Sequence, residues 1–153
     1  MRFSFYLANE ATTPGQLDVF LATFLHKLYS MDKRVLVRCP DAERAGRVSN
    51  VLWRIPSEGF LPHSTVNEDL PTDIQPVYLT AEKGNPNQAD ILMRLNGSSD
   101  NTEGFNEIIE FFGGLESEKE AARKRWVLAK ETNTPRRLFM QEQGRWVLKQ
   151  ESE

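Results

Sequence analysis

The chain has one cysteine, Cys39, and two histidines, His26 and His63. A lone cysteine excludes an internal disulfide framework, and a reducing cytoplasm is the expected setting. Two histidines and a cysteine without paired spacing make a poor transition-metal set, so no metal is expected. Apolar runs are short, and none approaches the roughly 20 residues that span a bilayer. Met1-Arg2 leads into an alternating pattern rather than into a signal peptide. Glycine is scarce where a nucleotide would need it: the connection "ANEATTPGQ" contains only Gly15. A dinucleotide fingerprint requires several glycines there, and a phosphate loop requires Gly-Lys followed by Ser or Thr. No cofactor is expected.

What is present suits one domain over residues 1–153, large enough for a core of its own. Hydrophobic residues make up 39% and charged residues 27%, a globular balance. The net charge of −3 hides an asymmetry. Residues 1–118 carry 10 Lys/Arg against 17 Asp/Glu, whereas residues 119–153 carry 9 against 5. A basic C-terminal segment on an acidic body points to nucleic acid or an acidic peptide; equally, the charges simply solvate a helix and a hairpin.

"RFSFYLA" alternates as a strand, with Phe3, Phe5 and Leu7 on one face and Arg2, Ser4 and Tyr6 on the other. Thr13, Pro14 and Gln16 open a helix whose apolar face is Leu17, Phe20, Leu21, Phe24 and Leu28. "RVLVR" is a strand covered on both faces, and Asp41 caps a helix carrying Ala45, Val48 and Leu52. "VYLTAE", "DILMRL" and "EIIEFF" are strands, with a short helix predicted around Thr102 to Asn106. "SEKEAARKRWVLAKET" is a helix with a Ser117/Glu120 capping box, which Pro135 prevents from continuing. "RRLFMQ" and "RWVLKQ" form a terminal hairpin across "EQG", placing a C-terminal hairpin extension at 134–153. Strands alternating with helices predict an α/β fold, Rossmann-like, with a largely parallel central sheet flanked by helices.

No catalytic constellation emerges. Cys39 and His63 make a nucleophile and base only if folding brings them together, and a lone Cys ending a strand is more often a small buried hydrophobe. Glu68, Asp69 and Asp73 read as a solvated turn. Surface features stand out instead. Trp53 shares a helix face with Gly46, Ser49 and Asn50, and Phe60, Leu61 and Pro62 follow in an apparent loop. Exposed aromatics anchor protein association, although such rings equally cap a core edge. On the last long helix, Lys119, Arg123, Trp126, Val127 and Lys130 fall on one broad face. Cations around an aromatic suit an acidic peptide ending in an apolar residue, or single-stranded nucleic acid, although Trp126 packed against the sheet with the cations in water fits the same pattern.

Taken in order, "RFSFYLA", "KRVLVRCPDAERAGRVSNVLW", "GFLPH", "DILMRL" and "ARKRWVLAK" resemble the chi subunit family of bacterial DNA polymerase III holoenzyme. The most specific piece is Leu52-Trp53 followed by Phe60-Leu61-Pro62-His63. The resemblance implies a non-enzymatic DNA-replication adaptor of the clamp-loader assembly, with a Rossmann-like fold that binds no nucleotide. It implies two partners: the psi subunit, and the acidic C-terminal tail of single-stranded-DNA-binding protein (SSB), so that contact with DNA is indirect. Trp53, Phe60, Leu61 and Pro62 would face psi, a surface that an accessory helicase can also use. Arg123 and Trp126, with Phe112, Lys119, Val127 and Lys130 nearby, would hold the tail. Val127 stands where some members have Lys, and the hairpin departs from the short terminus of the family. On this basis Arg123→Ala is expected to weaken the tail contact more than Arg136→Ala, which lies outside the helix. Two rival classes remain open: a small nucleotide-dependent enzyme, and a domain that binds nucleic acid directly.

Overall fold

A computed structural model describes residues 1–54, 61–65 and 72–152. Along the chain come β1 (Arg2–Ala8), α1 (Pro14–Ser30), β2 (Val35–Arg38), α2 (Ala42–Arg54), β3 (His63–Thr65), β4 (Val77–Thr80), β5 (Ile91–Arg94), β6 (Glu107–Gly113), α3 (Glu116–Glu131), β7 (Arg136–Glu142) and β8 (Arg145–Ser152). The strands form one eight-stranded sheet ordered β3-β4-β2-β5-β6-β1-β7-β8. Every neighbouring pair is parallel except the β7–β8 hairpin. The fold is the expected α/β layer structure.

Side-chain alternation divides the core between two faces of this sheet. On one face α1 and α2 bury Leu21, Phe24, Leu25 and Val48 against Val35, Val37, Ile109 and Phe111. On the other, Phe3, Phe5, Leu7, Leu36, Leu92, Ile108 and Phe112 meet Ala122, Ala129 and Trp126 of α3. The hairpin belongs to this core. Trp146 of β8 sits edge-on to Tyr6, Phe24 and Phe111 at centroid distances of 5.2, 5.9 and 5.8 Å.

Local chemistry sets most element ends. Thr13 Oγ1 accepts from the Gln16 N–H at 3.2 Å, while Gln16 Oε1 accepts from the N–H of Thr12 at 2.7 Å, one residue before the cap. Asp41 Oδ1 accepts from the Arg44 N–H at 2.8 Å at the start of α2. Gln143 and Gly144 both have positive φ, 50° and 75°, as a two-residue hairpin turn of matching twist requires. Three expectations are corrected. Residues 102–106 form a turn rather than a helix. The N-cap of α3 is Leu115, without a side-chain cap, so Ser117 and Glu120 lie inside the helix. Its start is favoured instead by Glu116 and Glu118 in the first turn, where the helix dipole welcomes negative charge. Finally, the apparent loop ends at Pro62, because His63–Thr65 is a strand that was not predicted; three polar residues carry no alternation to announce it.

Cys39 is 1% exposed within the α1/α2 core. Burial pushes its thiol up to about 12, so the reactive thiolate is scarce at neutral pH. Cys39 should therefore resist alkylation by iodoacetamide in the native protein and react fully in denaturant. Rapid native labelling, followed by mass spectrometry, would contradict that burial.

Candidate functional site

An apolar groove of about 340 Å³ lies between α3 and the α3-facing side of the sheet, beside the hairpin. Lys119, Ala122, Arg123 and Trp126 line it from the helix, at the i, i+3, i+4, i+7 spacing that forms one stripe. Its floor follows from strand register. Leu7 pairs with Phe112 on one side and Met140 on the other, and Phe5 pairs with Leu138, which pairs in turn with Gln150. All six of these side chains line the groove. One mouth is therefore cationic and the interior is apolar.

Trp126 is held from two sides. Its ring meets Phe5 edge-on at 5.1 Å, and the Arg136 guanidinium lies 5.3 Å from its centroid. Arg136 is itself buried and donates from Nη1 to the Thr134 carbonyl at 3.2 Å. Although Arg136 lies outside the helix, strand β7 brings it against the groove's central ring. Among the described residues Arg123 has only a long contact, 3.8 Å, with Glu116, both side chains being mostly exposed. Such a surface pair contributes between nothing and ~1 kcal/mol, so the guanidinium is available to an incoming carboxylate.

Of the six residues expected to hold the tail, Phe112, Lys119, Arg123 and Trp126 converge on this groove. Val127 and Lys130 are exposed and do not line it. The neighbouring Arg125 is committed elsewhere. It donates to Glu110 Oε2 at 2.6 Å and to the Ser98 carbonyl at 3.0 Å. Arg94, 4% exposed, holds the other oxygen of Glu110, so one buried carboxylate ties β5, β6 and α3 together. This network fixes the helix that carries the groove's cations.

At the opposite sheet edge Trp53 is 54% exposed, and its ring rests 4.5 Å from that of His63. His63 Nδ1 lies 2.8 Å from the Leu61 carbonyl, an acceptor only, so Nδ1 donates to it, while Nε2 is hydrogen-bonded with Ser49 Oγ at 3.1 Å. The pairing with Ser49, 5% exposed, leaves His63 as a buried support under Trp53. Leu61 is corrected: at 2% exposure it belongs to the α1/α2 core, whereas Pro62 is half-buried. Phe60 lies outside the described residues, as do Glu68 and Asp69. No group of three or more His, Cys, Asp or Glu among the described residues is placed to hold a metal ion. No helix among them is long and apolar enough to cross a membrane.

The crevice beyond the C-terminal ends of β1, β5 and β6, where open α/β sheets bind nucleotides, is lined by Thr12, Thr13, Arg44, Arg47, Gly113 and Glu118, among others. Glu118, only 8% exposed, projects its carboxylate to 3.3 Å from where a Cβ on Gly113 would stand, with Leu17 at 3.5 Å. A carboxylate and a leucine at the phosphate-approach position oppose an anionic ligand. Arg44 is already paired with Asp18 at 2.7 Å.

The chain matches the family "DNA polymerase III chi subunit, HolC" over residues 1–136. It is also 31% identical, over 128 residues, to DNA polymerase III subunit chi of Escherichia coli (strain K12), covering 80% of this chain and 86% of that protein.

Proposed function

Since the chain belongs to the DNA polymerase III chi subunit family, we propose that it is a non-catalytic replication adaptor joining two protein partners at opposite sheet edges. The α3 groove takes the acidic C-terminal tail of SSB, and the surface around Trp53, with Phe60 and Pro62, takes the psi subunit or an accessory helicase. Support comes chiefly from the groove, where Arg123 and Lys119 stand at the mouth of a recess walled by Trp126, Leu138 and Met140. A carboxylate terminus beside an apolar side chain matches that combination of charge and recess.

The second support is spacing. Six strand intervals separate β3 from β7 in the sheet order, roughly 30 Å at about 4.8 Å each. Two partners can thus be held at once, and tethering raises the local concentration of one near the other.

The test uses immobilised full-length SSB and SSB lacking its last residues. Full-length SSB should retain the protein and truncated SSB should not; equal retention by both sinks the tail assignment. Trp53→Ala should release psi while leaving SSB retention unchanged.

A further inference from the structure

The family match ends at residue 136, so nearly all of the β7–β8 hairpin lies beyond it. Yet this hairpin supplies Leu138, Met140 and Gln150 to the groove. The register carries the same surface further outward. Met140 pairs with Val147, and Glu142 with Arg145, so by alternation Val147 and Arg145 share the α3-facing side with Met140. A second hollow lined by Glu142, Gln143, Arg145 and Val147 lies along it. The β-bulge between Leu138 and Phe139 leaves Lys149 as an extra residue beside Gln150, and its ammonium pairs with Glu142.

We propose that the hairpin lengthens the groove into a two-part peptide site. The acidic residues preceding the apolar C-terminus of a ligand would run over Met140 and Val147 to Arg145 and Lys149. The inference rests on the tail-binding reading above and adds to it what the hairpin recognises. Charge supports it: residues 136–152 carry four Arg/Lys against two Glu. So does the weakness of the existing pair. The Lys149 and Glu142 side chains are 38% and 46% exposed, and a pair so exposed contributes ~1 kcal/mol at most, so a ligand carboxylate can replace Glu142. Reach agrees as well. From β1 to β8 is two strand intervals, roughly 10 Å, which about three residues of extended chain span. The fourth residue from the ligand's C-terminus, and those before it, therefore meet the hairpin cations.

The test compares two eight-residue peptides, one of six Asp followed by Leu-Phe and one of five Ser followed by Asp-Leu-Phe. Titrations use the full chain, the double variant R145Q/K149Q, and a charge-matched control, K27Q/K33Q. The wild type should bind the six-Asp peptide about tenfold more tightly than the Ser peptide. R145Q/K149Q should reduce that preference to twofold or less while leaving the Ser peptide unaffected, and the control should preserve it. Amide hydrogen exchange over residues 136–152 verifies that the hairpin is intact in each variant. An undiminished preference in R145Q/K149Q, or an equal reduction in K27Q/K33Q, overturns the extended site while the tail reading stands. Failure of both peptides to bind the wild type overturns the tail reading itself, and the extension with it.

Discussion

Glu110→Ala is expected to destabilise the protein by about 3–5 kcal/mol, the cost of stranding a buried charge. The reason lies in how few carboxylates serve the α3 face. Arg94 is 4% exposed and Glu110 holds it from inside the sheet, while Asp100, its other carboxylate neighbour, lies 3.9 Å away and is exposed. Burial already draws Arg94 below the usual arginine range, and Glu110 chiefly opposes that shift. Removing the carboxylate leaves a buried cation without its main partner and frees Arg125 from β6. Urea unfolding should show the loss, and hydrogen exchange should show α3 opening more readily than α1. Glu110→Leu combined with Arg94→Met should recover much of the stability, because buried ion pairs are replaceable by packed apolar groups. A loss below 1 kcal/mol in Glu110→Ala would mean that water reaches this network.

That network was invisible in the sequence, and the contrast with what was visible is instructive. Thr13, Pro14 and Asp41 announce helix starts because capping is completed within four residues. The alternation of Phe3, Phe5 and Leu7 and the unbroken "VLVR" announce strands because burial on one or both faces imposes its own period. Arg123 and Trp126 were legible as one stripe for the same local reason. Their opposite wall was not, because Leu138 and Met140 reach the groove only through parallel pairing of β7 with β1, more than 130 residues away. Nothing near Arg136 in the chain indicates that it will lie over Trp126. Leu61 failed in the reverse direction. Set in Gly59-Phe60-Leu61-Pro62 it reads as exposed loop, but the short β3 pairs with β4 and Leu61, two residues before it, is drawn into the core. Local signals named the parts, and long-range pairing decided which of them meet.

The same distinction separates Arg123 from Arg136, and their variants should fail differently. Arg123→Ala removes an exposed forked donor from the groove mouth, so tail-peptide affinity should fall about tenfold, as for one charged hydrogen-bonded contact. Its remaining binding should depend less on salt, since one screened ion pair is gone. Arg136→Ala removes no charge from the mouth, because the guanidinium is buried behind Trp126. It should weaken binding severalfold by loosening the ring that walls the recess, with the salt dependence unchanged. Arg136→Lys should restore little, because an ammonium lacks the planar face that stacks on an indole. Lys27→Ala, on exposed α1 surface, should change neither quantity. Calorimetric titrations at low and high salt, with melting curves for each variant, measure all of these. Wild-type affinity in Arg123→Ala would place the peptide carboxylate elsewhere. A flattened salt dependence in Arg136→Ala, or full rescue by lysine, would instead make Arg136 a direct ligand and exchange the two roles.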